Sequence, residues 1–305
     1  MTHLISVVIP TFNDEAYSLR RAIESVLNQS LENISIIIVD DGSDTPFSGL
    51  DKQFTDYRLK WVRHSENKGV AASRNSGINQ ANGDYIAFLD SDDWWDSEKL
   101  YEQYKAITQT GARWVYCGIT VCMPDGRNYI ELPEYKGSIF EKLLTNQFIT
   151  GSASSVIVEA GLLDEVGGFN VKDNLVEDWD LWIRLSKIAP VEYVSKPMVY
   201  LSAYNSNSRS GMIHKKSIRL KNLIHKHRDD ISRHGLERYA LARMHIVVGR
   251  RYLVQGCAVR GVIHWIKSLR YNPLMFPVKW LPIALLAIIF PKLYRKIHIY
   301  RRLKA

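Results

Sequence analysis

Three short runs of apolar residues dominate the first ninety positions: Ile5–Pro10 (ISVVIP), Ile34–Asp40 (ISIIIVD) and Asp84–Asp90 (DYIAFLD). They are rich in β-branched residues and nearly continuous in hydrophobicity, as expected of strands covered on both faces of a parallel sheet. Between the first two, Leu19, Ala22, Ile23, Val26 and Leu27 recur at the i, i+3, i+4, i+7, i+8 spacing of one buried helical face. The spacing predicts a strand–helix–strand unit. A second helix is expected from about Gly69 to Ala81. A third is expected from Asp96 or Ser97, with a capping side chain ahead of Leu100, Tyr104 and Ile107 and a stop near Gly111. Strands alternating with helices predict an open α/β sheet.

Beyond Gly111 the pattern is mixed, with strand candidates at 113–119, 153–158 and 191–201 and a helix candidate at 179–189. From about Ile213 it turns helical and basic. The expected division is a domain over 1–212, with a nucleotide-binding half (1–110) and an acceptor half (111–212), followed by a basic helical extension over 213–305.

Charge changes meaning once it is located along the 305 residues. The chain carries a formal +8, which taken alone suggests nucleic acid. From Arg238 to Ala305, however, there are 14 Lys/Arg and no acidic residue, leaving 26 basic against all 32 acidic residues in positions 1–237, a net of −6. An acidic front with a basic, apolar tail suits a membrane surface and argues against a nucleic-acid partner. In the tail, 273–291 is apolar but interrupted by Lys279 and prolines, so its clean run of Trp280–Phe290 falls short of the ~20 residues of a membrane span. Docking on the surface of the cytoplasmic membrane is the expectation, with a packing or oligomerisation helix as the alternative. Cys117, Cys122 and Cys257 have no paired spacing, which points to a reducing compartment and to packing roles. Met1–Phe12 enters a strand-like run with no signal-peptide pattern, so a cytoplasmic location is expected.

Two acidic clusters close predicted strands: Asp40-Asp41-Gly42-Ser43 and Asp90-Ser91-Asp92-Asp93. Ligands of open α/β sheets bind outside the carboxyl ends of the strands. Three carboxylates within four residues repel one another unless a cation or proton offsets them. Hard oxygens with no neighbouring Cys or His suit Mg2+ or Mn2+ bridged to substrate phosphates. As bare chemistry the alternatives stay open: a solvated helix-capping turn for the second cluster, a Gly-Ser turn for the first.

Longer motifs narrow the choice. VVIPTFN (7–13), VDDGSDT (39–45), ENKGVAASRNSGINQANGDYIAFLDSDDWW (66–95), VGGF (166–169) and EDWDLWIRL (177–185) occur in the order and approximate spacing of the inverting glycosyltransferases of family 2, which residues 4–205 resemble. The resemblance implies a GT-A fold, a Rossmann-like mixed sheet flanked by helices. It implies a metal-dependent inverting transferase, moving a hexosyl or N-acetylhexosaminyl group from a nucleotide-sugar donor, commonly a UDP-sugar, to a saccharide or lipid-linked oligosaccharide. On the matching positions, Pro10, Thr11 and Phe12 line the nucleobase pocket, Asp41 receives base N–H groups, and Asp40 holds the loop or the ribose. Arg74 reaches the nucleotide, and Asp90 and Ser91 lie by the ribose and donor sugar. Asp92 coordinates Mn2+ or Mg2+ with Asp90 and Asp93 in support, and Asp178 is the general base with Glu177 as the neighbouring candidate. Plainer roles stand beside these: Thr11 as a helix cap, Arg74 neutralising a helix face, the acidic residues of 177–180 answering a helix dipole, and Trp94, Trp95, Trp179 and Trp182 as core.

The chain departs from the family at 201–210 (LSAYNSNSRS), where Ser202 and Tyr204 stand in place of an Arg and a His, and Arg209 is a substitute candidate. A polyprenyl-phosphate sugar synthase, whose phosphate acceptor needs no base, and a catalytically degenerate binding protein are the competing expectations.

Overall fold

The structure, a computed structural model, describes residues 5–173, 175–202, 213–254 and 257–275. The stretch 276–305, Tyr204 and Arg209 lie outside the described residues, and with them most of the apolar tail and the substitute for the family Arg and His.

The chain forms two compact units, one of residues 1–140 and 148–203 and one of 141–147 and 204–305. The first is a mixed sheet. Strands β1 (Ile5–Thr11), β2 (Ile34–Asp40), β3 (Leu59–Arg63) and β4 (Tyr85–Phe88) run parallel in the order β3-β2-β1-β4. Every residue of β1 and nearly every one of β2 is buried, because helices cover both faces and the β-branched runs face no solvent. Helices α1 (Ala16–Leu27), α2 (Val70–Gln80) and α3 (Lys99–Thr110) connect the parallel strands and continue from β4. Leu19, Ala22, Ile23 and Val26 are the buried face of α1, as their spacing predicts.

Past β4 the sheet is mixed, with antiparallel pairings and one further parallel one. The two-residue strand β5 (Trp94–Trp95) pairs with β9 (Glu192–Ser202); β6 (Trp114–Cys122) lies between β9 and β8 (Ile157–Glu159), with β7 (Asn128–Glu131) also on β6. Helix α4 (Phe140–Leu143) precedes β8, and α5 (Ala160–Val166) and α6 (Glu177–Ile188) follow it. From this part of the sheet the core gathers Leu89, Trp95, Val115, Ile119, Ile157 and Val199.

Several expectations are corrected. Helix α3 begins at Lys99, not at Asp96 or Ser97, and its N-cap residue Glu98 makes no side-chain cap; Asp96 accepts the Glu98 N–H at 3.0 Å, closing the turn before the helix, and Gln29 Oε1 accepts the Leu100 N–H at 3.0 Å. Its end at Gly111, left-handed at φ 69°, is as expected. The strand expected over 153–158 is in part a 3-10 turn, Ser152–Ser155, with only 157–159 extended. Cys117 is buried, but Cys257 is exposed and does no packing.

The second unit contains helices α7 (Ile213–Lys226), α8 (Arg228–Arg233), α9 (Glu237–Val254) and α10 (Ala258–Leu269). Leu220, Leu223, Ile231, Ala242, Val248, Leu253 and Trp265 form its interior. Trp265 satisfies its buried indole N–H on the Ile246 carbonyl at 3.2 Å, fastening α10 to α9.

Candidate active site

The ends of β1, β2 and β4 meet at one edge, where parallel pairing sets Thr11 beside Asp40 and Val8 beside Phe88. The backbone N–H of Asp41 continues that ladder by donating to the Thr11 carbonyl at 2.9 Å. The loops that follow carry both acidic clusters, so the sheet brings together residues about fifty positions apart.

Asp40, fully buried, accepts the N–H groups of Ser43 at 2.7 Å and of Phe47. Of its two expected roles, the structure shows the loop-holding one. Asp41 is also buried, and its oxygens accept the N–H groups of Lys68 at 2.9 Å and Gly69 at 2.7 Å. His64 Nδ1 lies 2.7 Å from Asp41 Oδ1, and its Nε2 lies 2.8 Å from Ser76 Oγ. Asp41 therefore anchors the start of α2 as well as standing at the sheet edge. Gly42 between the loops has φ 77°, and a Cβ there would lie 2.7 Å from the Glu66 carbonyl carbon, so no other residue fits.

On β1, Pro10 is buried within the strand and Thr11 donates to Asp14 Oδ2 at 2.9 Å instead of capping α1. Phe12 is 44% exposed at the sheet edge. Asp14, which the sequence did not single out, also receives the Phe12 N–H and the Ser91 hydroxyl, tying the β1 loop to the acidic turn after β4. Asn13 and Asp44 exchange hydrogen bonds at 2.9 and 3.2 Å between the loops after β1 and β2.

Within that turn the three carboxylates have separate surroundings. Asp90 accepts Arg74 Nη2 at 2.6 Å. Asp93, buried, accepts the Ser154 hydroxyl at 2.7 Å. Asp92 is half-buried, and its carbonyl accepts Arg21 Nη2 at 2.9 Å while the Arg21 guanidinium lies 3.5 Å from the centre of the Trp94 ring. Among the described residues no group of three or more Asp, Glu, His or Cys side chains is drawn together as a metal cage. The donor set still fits Mg2+ or Mn2+ held through one or two carboxylates with the remaining ligands from phosphate and water, because the Asp90, Asp92 and Asp93 carboxylates are hard oxygen donors.

Arg74 is 2% exposed. Besides Asp90 it donates through Nη1 to Glu177 Oε1 at 3.2 Å, joining residues 103 positions apart. Burial alone would lower its pKa; the charges of Asp90 and Glu177 overcome that and raise it. It neither covers a helix face nor projects outward. Beside it Asn75 clamps the VGGF turn, exchanging 2.8 Å hydrogen bonds with both backbone groups of Phe169. A Cβ on Gly168 would sit 2.8 Å from Asn75 Oδ1, which explains the glycine.

Glu177 and Asp178 open α6 but differ in setting. Glu177 is buried, its Oε2 takes the Leu175 N–H at 2.7 Å, and burial followed by the neighbouring Asp178 charge pushes its pKa up against the pull of Arg74. Asp178 is half-buried, accepting the Ser152 hydroxyl on Oδ2 and the Trp179 N–H on Oδ1, each at 2.7 Å. Of the tryptophans, Trp95 and Trp182 are core; Trp94 is half-buried and stacks on Tyr200 at 5.4 Å.

Residues 6–164 match the family model described as "Glycosyl transferase family 2". An uncharacterized glycosyltransferase of Haemophilus influenzae is 32% identical over 225 residues, covering 72% of this chain and 85% of that one. The Escherichia coli UDP-Glc:alpha-D-GlcNAc-diphosphoundecaprenol beta-1,3-glucosyltransferase WfgD is 35% identical over 189 residues, 61% of this chain and 70% of that one. Other relatives are much longer: the match to glycosyltransferase GlyA of Streptococcus pneumoniae, 37% identical, covers 34% of this chain and 15% of that protein. Among solved structures, S. aureus TarS 1-349 in complex with UDP-GlcNAc superposes with a TM-score of 0.55 at 16% identity, covering 86% of this chain and 89% of that one. At that identity the likeness concerns the fold, which is GT-A.

Proposed function

The chain belongs to glycosyl transferase family 2, and we propose that it moves a sugar, with inversion, from a UDP-sugar to a hydroxyl of a saccharide or lipid-linked oligosaccharide during assembly of a bacterial surface polysaccharide. The observation that carries this reading is the buried Asp90–Arg74–Glu177 bridge. It draws the donor-side acidic turn and the EDWD helix to one sheet edge, as a displacement between donor and acceptor requires. The UDP donor and the lipid-linked acceptor are supported by the substrates in the name of the E. coli relative, and a UDP-sugar by the ligand of the S. aureus structure.

In this mechanism Phe12 offers an aromatic face to the base, and the β1 and β2 loops, held by Asp40, Asp41 and Asn13, shape the nucleoside pocket. Asp92, with Asp90 and Asp93 behind it, would hold Mn2+ or Mg2+, whose chemistry is to neutralise charge on the departing diphosphate. Asp178 takes the acceptor proton as that oxygen bonds to C1, while the C1–O bond breaks and its electron pair leaves with the diphosphate. Such a single displacement needs no enzyme nucleophile. Glu177, committed to Arg74 and the Leu175 N–H, positions rather than abstracts.

Calorimetry of UDP and UDP-sugars, with and without Mn2+, tests the donor half. Mn2+ is expected to tighten nucleotide binding in the parent, and Asp92→Asn to lose at least about tenfold of that gain, since even partners of metal ligands are worth 10- to 100-fold. Metal-independent binding in both proteins would refute the metal assignment.

The membrane half of the reading has support from α10. Val259, Ile263, Ile266 and Leu269 are 64, 44, 55 and 38% exposed along it, and Leu274 beyond it is 96% exposed. Arg260, Lys267 and Arg270 are exposed among them. An apolar stripe with basic flanks suits the interface of an anionic leaflet. No helix among the described residues is long and apolar enough to cross a membrane. The full chain is expected to sediment with phosphatidylglycerol vesicles, less with pure phosphatidylcholine and less at high salt, and Ile263→Asp/Ile266→Asp to weaken it. Equal sedimentation of parent and double variant would remove α10 from the docking surface; a dimer dissociated by the double variant would identify the stripe as a self-association face.

A further inference from the structure

The 3-10 turn Ser152–Ser155 after Gly151 has a polar sequence and no part in the family motifs quoted above, yet it touches both ends of the site. Ser152 Oγ donates to Asp178 Oδ2 at 2.7 Å. Two residues on, fully buried Ser154 donates to Asp93 Oδ2 at 2.7 Å and accepts the Asp90 N–H at 3.1 Å, while its carbonyl takes the Trp95 indole N–H at 2.9 Å. Ser152 has φ 52°, a left-handed backbone that a non-glycine residue adopts at a cost. Glycine would relieve it, so the hydroxyl is the reason to look for at this position.

We propose that Ser152 is a positioning residue for Asp178, which fixes the plane of its carboxylate toward the acceptor hydroxyl; this rests on Asp178 being the base. The Trp179 N–H pins Oδ1 and the Ser152 hydroxyl pins Oδ2, so rotation of the carboxylate breaks a hydrogen bond. Each oxygen has two lone pairs, and each keeps one for the incoming proton. Because Ser154 in the same rigid turn holds Asp93 and the Asp90 backbone, base and donor-side carboxylates are set relative to one another by four residues. Misplacement of a reacting group by ~1 Å is worth on the order of 10²-fold in rate.

Ser152→Gly separates positioning from folding, since it removes the hydroxyl and the left-handed strain together. Its Tm should equal or exceed the parent's. In hydrolysis of UDP-glucose or UDP-N-acetylglucosamine with Mn2+, its kcat should fall about tenfold or more with donor KM within about twofold. Ser152→Asn, which tolerates the left-handed backbone and keeps a donor, should recover most of the loss. A readout free of turnover is the 13C chemical shift of the Asp178 carboxyl at one fixed pH, assigned with Asp178→Asn: loss of the hydroxyl donor should move the signal in Ser152→Gly, and Ser152→Asn should move it back. An unmoved signal overturns the inference, as does a moved signal with parental kcat. Full activity in Asp178→Asn would instead overturn the assignment of the base, and a parent that hydrolyses neither donor leaves the carboxyl signal to decide.

Discussion

Asp178→Asn should turn over about 10²- to 10⁴-fold more slowly than the parent, the range that a positioned general base contributes, while holding UDP-sugar with unchanged affinity. The expectation comes from the two carboxylates that open α6. Both sit where the helix dipole favours negative charge, so charge alone does not distinguish them. Burial and partners do: Glu177 has both oxygens engaged by Arg74 and the Leu175 N–H, whereas Asp178 is half-buried and held by one hydroxyl and one backbone N–H. Asparagine keeps the shape: its carbonyl oxygen can accept the Trp179 N–H while its amide donates to the Ser152 hydroxyl oxygen, so the fold and the donor pocket should be intact, with Tm within about a degree or two of the parent. Only the proton acceptor is removed. Single-turnover transfer, compared with calorimetric donor binding, separates the two effects. Transfer at the parental rate would remove the need for a base and favour a phosphate acceptor of the polyprenyl-phosphate kind; equal loss of donor binding would place Asp178 on the donor side.

The parts of this site that the sequence displays are those whose signal is local. Continuous β-branched runs located β1, β2 and β4, and the acidic clusters follow their ends directly, so the sheet edge could be placed without coordinates. Helix α1 was legible from 3.6-residue spacing, and α2 and α6 were expected within about two residues of their observed bounds. Short edge elements were not: β3 reads LKWVR, half-exposed with Lys60 and Arg63 facing out, and β5 is only two residues long. The Ser152–Ser155 turn continues without a break into the apolar VIV of 156–158, and it passes for the beginning of a strand until its backbone dihedrals are known. His64, Asp14 and Ser152 are single polar residues with no periodic neighbours, and their roles follow from what the fold sets beside them. Arg74 shows the limit most sharply. Its motif marks it as a site residue, but its partners lie 16 and 103 positions away, and only the closure of α6 against α2 shows that it bridges carboxylates.

That bridge makes Arg74→Met the substitution with the largest expected effect on stability. With side-chain exposures of 2% for Arg74, 16% for Asp90 and 10% for Glu177, water screens the three charges poorly, and removing the cation leaves two carboxylates facing each other. Breaking a buried pair in this way is worth about 3–5 kcal/mol, or a fall in Tm of roughly 10 °C or more for a unit of this size. Relief by protonation is open chiefly to Glu177, whose pKa burial already raises, so the variant should lose less stability as pH falls toward the carboxylate range. Arg74→Lys keeps one charge without the planar fork and should fall between parent and Met variant. Glu177→Gln added to Arg74→Met removes one of the orphaned charges and should restore part of the loss, a coupling that a double-mutant cycle measures directly. Activity should follow the same order, because the arginine that neutralises Asp90 and Glu177 also holds the donor-side turn to the helix carrying the base. A parental Tm in Arg74→Met, or purely additive effects with Glu177→Gln, would mean that the two halves of the site are held together by packing around Phe169 and Phe88, whose rings meet edge-on at 5.1 Å, and not by charge.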